Sequence, residues 1–288
     1  MQNLSEIKTH LRAAEQTRKM TNALSLLSTA RMKKSMQKAQ YYDEYYTRVR
    51  SAVKGLLEKA PNMSHPFLEK RPIQRAAFVM ISGEKGMCGS YNQNILHYAE
   101  QIISSYSCDK YLVTIGRTAE EHFRHLGLRP KISVSGFSGT PSIKDTMSIV
   151  KALLYGYTHG RIDNITLIFT DYQSAARQTP AHVHLLPLDI ADFVDVEPED
   201  HYKSDILFTP SPAQVLSTLV THYAVGLIFN VIAQSLAAEY SARMRAMQDA
   251  TNNADEIIAD LKMRYNTARQ FSITNQIMEI VSGSETQK

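Results

Sequence analysis

The residues best suited to chemistry lie in one short loop, Gly83-Glu84-Lys85-Gly86-Met87-Cys88-Gly89-Ser90-Tyr91-Asn92. It follows an apolar run and precedes a segment of helical spacing. A glycine-rich turn between a strand and a helix can bring backbone N–H groups to a phosphate. The spacing is G-x-x-G-x-x-G, however, which is neither the dinucleotide fingerprint nor a P-loop, because the closing Gly-Lys-Ser/Thr is missing. A tight turn that needs glycine backbone angles accounts for the same residues. Cys88 stands near a helix start, where a thiol pKa falls, but spacing supplies no His and Asn to make it a nucleophile. A packed small residue is the plainer reading.

Two histidine pairs offer metal ligands. His182 and His184 alternate on a strand and share a face; His122 and His125 are about one helical turn apart. Neither pair has a third or fourth ligand at a supporting distance. The basic run Arg31, Lys33, Lys34 and Lys38 suits nucleic acid, or equally a solvated or partner-facing helix surface. Asp255 and Glu256 are neighbours on a helix and do not face each other. No catalytic set emerges, and the sequence predicts neither a metal nor a cofactor.

The elements that must position these residues divide cleanly. All ten prolines fall between residues 61 and 212, so both ends are free to form long helices. The C-terminal candidate, 212–282, would be roughly 100 Å long at 1.5 Å per residue, far more than a globular core needs. Its positions Met247, Ala250, Ala254, Ile257, Leu261, Tyr265 and Ala268 make a coiled-coil-like seam with one extra residue inserted. The N-terminal candidate, 4–59, carries Leu4, Ile7, Leu11 and Ala14, then Met20, Leu24, Leu27 and Ala30 after a phase shift. It also carries the cluster Tyr41, Tyr42, Tyr45 and Tyr46, whose spacing forms one broad face.

Between the ends the chain alternates. Strands are expected at 76–82, 111–115, 131–135, 165–170 and 181–186, with helices at 91–105, 118–126 and 142–157. That order indicates a Rossmann-like α/β domain with a partly parallel sheet, and residues 189–210 read as an acidic surface connection. The expected organisation is therefore an N-terminal coiled-coil helix (1–60), an α/β domain (61–210) and a C-terminal coiled-coil helix (211–288). The two end helices would pair antiparallel as a rod.

Composition narrows the class further. The chain has 288 residues, and its sequence reads as holding no apolar run long enough to cross a bilayer and no apolar signal core at its start. Two cysteines, Cys88 and Cys108, suggest no disulfide framework. Residues 1–60 hold 12 Lys/Arg against 5 Asp/Glu, while the rest is slightly acidic. The basic first helix thus predicts an acidic partner.

Three blocks together resemble the gamma subunit family of F-type ATP synthases. EIKTHLRAAEQTRKMTNALSLLSTARMKK is similar to the family's first helix, with Thr17, Lys19, Met20, Thr21, Ala23 and Leu24 in one signature and Ala30 to Lys33 in another. ISGEKGMCGSYNQNI resembles its S-D-[RK]-G-[LM]-C-G-x-[LY]-N loop, with Gly83-Glu84 where Ser-Asp is usual. AAEYSARMRAMQDATNNADEII through YNTARQFSITNQIMEIVSG resembles its last helix. The resemblance implies a non-catalytic rotor whose paired end helices stand inside a ring of alternating alpha and beta subunits. The α/β domain would contact the epsilon subunit and the membrane ring. Proton or sodium flow would drive ATP synthesis or hydrolysis, with one copy per complex at the cytoplasmic face of a bacterial membrane. The resemblance implies no direct nucleotide or nucleic-acid binding.

Motif matches carry over four partner-contact residues. Leu24, where the family usually has Met, would lie near an acidic lever of the beta subunit. Arg243 in SARM would sit near that level. Arg269 and Gln270 in ARQ would engage a beta-subunit loop higher up. Phe271 is large where a small residue usually follows. No thiol switch is expected from Cys88 and Cys108. Two rivals remain at this stage: an enzyme with a nucleotide-binding α/β domain, which predicts tight stoichiometric nucleotide binding, and a basic coiled coil that binds nucleic acid with steep salt dependence.

Overall fold

The computed structural model describes residues 4–136, 143–198 and 208–285. Five helices and five strands alternate as expected: α1 (Leu4–Lys59), β1 (Arg75–Ile81), α2 (Tyr91–Ser104), β2 (Asp109–Ile115), α3 (Arg117–His125), β3 (Ile132–Val134), α4 (Ile143–Thr158), β4 (Asn164–Tyr172), β5 (Gln178–Leu186) and α5 (Pro212–Glu285). The strands form one sheet in the order β3-β2-β1-β4-β5. β1 pairs in parallel with β2 and β4, β2 in parallel with β3, and β4 antiparallel with β5. Strand β1 is central and covered on both faces, which explains why it reads as a continuous apolar run rather than an alternation. Its Ala76, Phe78 and Met80 face α2 and α3. Its Ala77, Val79 and Ile81 face α4 and parts of the two long helices.

The chain forms two compact units, Met1–Ser28 with Arg243–Lys288, and Thr29–Ala242. The division falls inside α1 and α5 rather than at their ends. In the larger unit the later part of α1 and the earlier part of α5 run antiparallel: Ser35 Oγ donates to the Ala233 carbonyl at 3.1 Å, and the Tyr42 ring meets Phe229 edge-on at 4.5 Å. Val53, Leu56, Leu216, Val220 and Ile228 from this pair complete the core under the sheet.

Two sequence expectations need correction here. The early part of α5 carries no charged residue from Pro212 to Ala238. By length and composition this helix is long and apolar enough to cross a membrane, contrary to the reading of the sequence. Leu216, Val220, Ala224 and Ile232 are nonetheless enclosed by protein, as in a core helix. The segment after β5 is also more than a surface connection. A 3-10 turn, Ile190–Phe193, opened by a capping box on Asp189 and Asp192, drives Phe193 and then Val196 into the core. Residues 199–207 of that segment lie outside the described residues.

In the smaller unit the start of α1 and the end of α5 also pair antiparallel. Arg18 bonds Asp255 at 3.0 Å, Thr21 bonds Thr251 at 2.7 Å, and Ser25 Oγ donates to the Met244 carbonyl at 3.4 Å. Ala250 and Asp260 are half-buried at the edges of the α5 seam, which runs through Met247, Thr251, Ala254, Ile258, Leu261, Tyr265 and Ala268. The seam residues step alternately by four and three, a regular heptad seam without the inserted residue that the apolar pattern suggested. Ile257, expected on the seam, is 53% exposed, while Ile258 is 7% exposed. On α1 the seam runs through Ile7, Leu11, Ala14, Thr21, Ser25 and Ser28, whereas Met20 and Leu27 point outward. Small hydroxyl residues displace large apolar ones because they allow close backbone approach and satisfy their hydroxyls locally. Ser28, for example, donates to the Leu24 carbonyl at 2.7 Å.

Candidate coupling surface

The glycine-rich loop is a turn filled by its own groups. Asn92 Oδ1 accepts from the Gly83 N–H at 3.0 Å, and Asn92 Nδ2 donates to the Lys85 carbonyl and to Cys88 Sγ, each at 3.3 Å. Met87 and Gly89 have φ of 61° and 57°, the left-handed conformation that the turn requires. A Cβ on Gly83 would lie 2.7 Å from Asn92 Oδ1 and 3.1 Å from Glu239 Cδ, so a larger residue here would require these side-chain ends to shift. Tyr91 anchors the following helix, its hydroxyl donating to the Ser235 carbonyl at 3.0 Å. Burial, reinforced by the charge of Glu239, holds the Tyr91 hydroxyl pKa well above its ordinary value. Cys88 is buried, as its packed reading expects.

The histidines serve the sheet surface. Tyr98 Oη bonds His182 Nδ1 at 2.7 Å, and Thr166 Oγ1 meets His184 Nδ1 at 3.2 Å. His122 pairs with Glu100 rather than with His125. Among the described residues no group of three or more His, Cys, Asp and Glu side chains is arranged to hold a metal ion.

A cluster that the sequence reading missed fixes the segment after β5. Arg50 donates to both carboxylate oxygens of Asp195, at 2.7 and 2.5 Å, and to the Asp192 carbonyl at 3.0 Å. Its guanidinium lies 5.7 Å from the centre of the Tyr46 ring and 5.9 Å from that of Phe193. This bidentate contact holds the Asp195 carboxyl pKa below its usual range, while burial pushes Tyr223 beside it up to about 12. The only signal in the sequence was an arginine one turn after the tyrosine cluster.

The four expected partner-contact residues occupy two levels of the smaller unit. Leu24 is half-buried and Arg243 is buried. They precede Ser25 and Met244, which are hydrogen-bonded across the helix pair, so both lie at one level. Arg269 and Gln270 are exposed on α5. They stand 26 residues beyond Arg243, or about 39 Å along a continuous helix. The structure therefore joins the first two and leaves the other two at a separate station. Large apolar side chains lie open beside both. Met20, Leu26 and Leu27 are 57%, 66% and 47% exposed. Near the other station Leu4 shares a groove with Ala268 and Phe271, and beyond that level every α5 side chain from Arg269 to Val281 is exposed.

A family model described as ATP synthase matches residues 3–286. The ATP synthase gamma chain of Exiguobacterium sibiricum is 31% identical over 290 residues, covering 100% of each chain. The chain belongs to the ATP synthase gamma chain family. The gamma chain of Staphylococcus saprophyticus is likewise 31% identical, over 292 residues and 99% of each chain. The fold matches the rotor of the Euglena gracilis mitochondrial ATP synthase with a TM-score of 0.63 and 15% identity, over 94% of this chain and 98% of that one. It also matches a chain from the central stalk and c-ring structure of the Tetrahymena thermophila mitochondrial ATP synthase, with a TM-score of 0.61 and 19% identity over 80% and 99% of the two chains. The expected class, a mixed α/β fold with long terminal helices and a largely parallel five-stranded sheet, is the one observed. The hydrogen bonds of the filled glycine loop give it a structural role. It is a structural clamp between the sheet and α5, built from Gly83, Asn92 and Tyr91.

Proposed function

We propose that this gamma-family chain is the non-catalytic central shaft of an F-type ATP synthase, coupling ion flow through a membrane ring to ATP synthesis or hydrolysis. Alpha and beta subunits would surround the smaller unit, while the epsilon subunit and the membrane ring would contact the larger one. The complex would hold one copy, peripheral to the membrane at its cytoplasmic face. The observation that carries this reading is the end of α5. Phe271, Ile273, Ile277, Met278, Ile280 and Val281 are between 43% and 72% exposed on a helix that has passed Leu4 of its partner. An apolar helix surface of this extent marks a site that another chain covers.

The mechanism needs no reacting group on the shaft. Arg243 and Leu24 at one level, and Arg269 and Gln270 at another, would meet each surrounding subunit differently at each shaft angle. Differential contact shifts each nucleotide site between its conformations, and the shift cannot exceed the difference in contact energy. Arginine suits an orientation-dependent latch because its planar fork bonds a carboxylate in few geometries. The double substitution Arg269→Ala with Gln270→Ala tests the outer station in the assembled complex. Both side chains are exposed, so the substitution changes the chain's stability by no more than about 0.5 kcal/mol. Lower ATPase turnover or weaker coupling is expected. Unchanged turnover and coupling would remove this station from the mechanism.

A further inference from the structure

The outer face of α1 in the larger unit carries a second row of residues, tied to α5 at Tyr45, whose hydroxyl bonds His222 Nδ1 at 2.8 Å. Lys34, Lys38, Tyr41, Tyr45 and Arg48 step by four, three, four and three, parallel to the inward row of Ser35, Tyr42, Tyr46 and Val49, which are buried or half-buried. Tyr41 is 80% exposed and Tyr45 47% exposed. This row borders a groove between α1, α4 and α5, formed by two clefts of about 810 and 640 Å³ that share Tyr41, Tyr42, Ile143 and Phe229. Its floor is apolar, with Tyr42 packed on Phe229 and Met147 beside them. At one end stand Lys34, Lys38 and Lys144; among the described residues that line the groove, Glu44 is the only carboxylate.

We propose that this groove is a docking site for an amphipathic helix with an acidic flank, supplied by another polypeptide. Three features select that occupant. The row repeats every 3.5 residues, the period at which one helix presents a continuous seam to another at a crossing angle of about 20°. From Lys34 to Arg48 it spans about 21 Å, or four turns of a partner helix. Its lysines give the end of the groove a positive charge that an acidic flank complements. A small ligand would instead be enclosed over most of its surface, and this groove is open along its length. Interleaved Lys and Tyr also suit single-stranded nucleic acid, but the aliphatic floor of Ile143 and Met147 offers such a strand nothing to stack on.

The test uses the full chain and a labelled synthetic helix of about 18 residues, with leucine at the seam positions and glutamate on the flanks. Fluorescence anisotropy should show saturable binding that weakens with salt. A control peptide with lysine flanks should bind at least about tenfold more weakly. The pairs Lys34→Glu with Lys38→Glu, and Tyr41→Ala with Tyr45→Ala, should each weaken binding by about tenfold or more. Lys34 and Tyr41 are exposed and Lys38 is half-buried, while Tyr45 also bonds His222; Tyr41→Ala alone, which breaks no hydrogen bond to α5, should weaken binding with the thermal midpoint unchanged. The proposal is overturned by no binding, by equal binding of both peptides, by indifference to the substitutions, or by tighter binding of a single-stranded oligonucleotide. Because the isolated chain is used, such a failure would leave the shaft reading untouched.

Discussion

At the scale of single residues, close approach recurs where the long helices meet. Gly226 lies in the interior of α5, where glycine costs about 1 kcal/mol relative to alanine. A Cβ there would come within 2.6 Å of Tyr46 Cδ2. Tyr46 cannot easily yield, because it stacks on Tyr223 at 6.0 Å and lies beneath Arg50. Overpacking of this kind costs about 1–3 kcal/mol, which equals or exceeds the helix propensity gained. Gly226→Ala should therefore lower the chain's stability in urea denaturation despite improving the helix former. A gain of about 1 kcal/mol would mean that the ring moves freely. The Thr21–Thr251 hydroxyl pair in the smaller unit follows the same logic, with two small polar residues standing where two large apolar ones would force the helices apart.

At the scale of elements, the decisive feature is which face of α5 meets α1. Ile258 is buried in the seam, and its truncation to alanine should cost about 2–4 kcal/mol through lost burial and a cavity. Ile257 is 53% exposed, and Ile257→Ala should stay within about 0.5 kcal/mol. Hydrogen exchange of α5 amides around position 258 measures both; a larger effect at Ile257 would mean that the seam is misplaced. The reason the sequence did not show this face is chemical. Reading apolar residues alone selects Ile257, Met20 and Leu27, because Thr251, Ser25 and Ser28 look like surface residues until their hydroxyls are seen to be satisfied. Counting small hydroxyl residues as seam positions would have recovered the regular repeat. The sheet was easier to read. β1, β2 and β4 announce themselves as buried apolar runs, and glycine and proline punctuate the chain between them. The Arg50–Asp195 contact joins residues 145 apart in sequence, and no local pattern encodes such a pairing.

At the scale of the whole molecule, the sequence blocks that resemble the gamma family extend over both units, and the family match covers residues 3–286. The candidate contact residues were legible only through those motifs. Nothing in local chemistry separates Arg269 from any other exposed arginine, and its proposed role depends on chains that surround it. The shaft account makes one demand that no purely structural subunit would meet, namely that the chain turns. Arg129 is exposed in the larger unit and Cys108 is partly accessible. A bead can therefore be attached through Arg129→Cys in a Cys108→Ser background, with the surrounding complex fixed to a surface. On addition of ATP the account predicts sustained, one-directional, stepwise rotation of the bead. ATP hydrolysis by the intact complex with a stationary bead would contradict it.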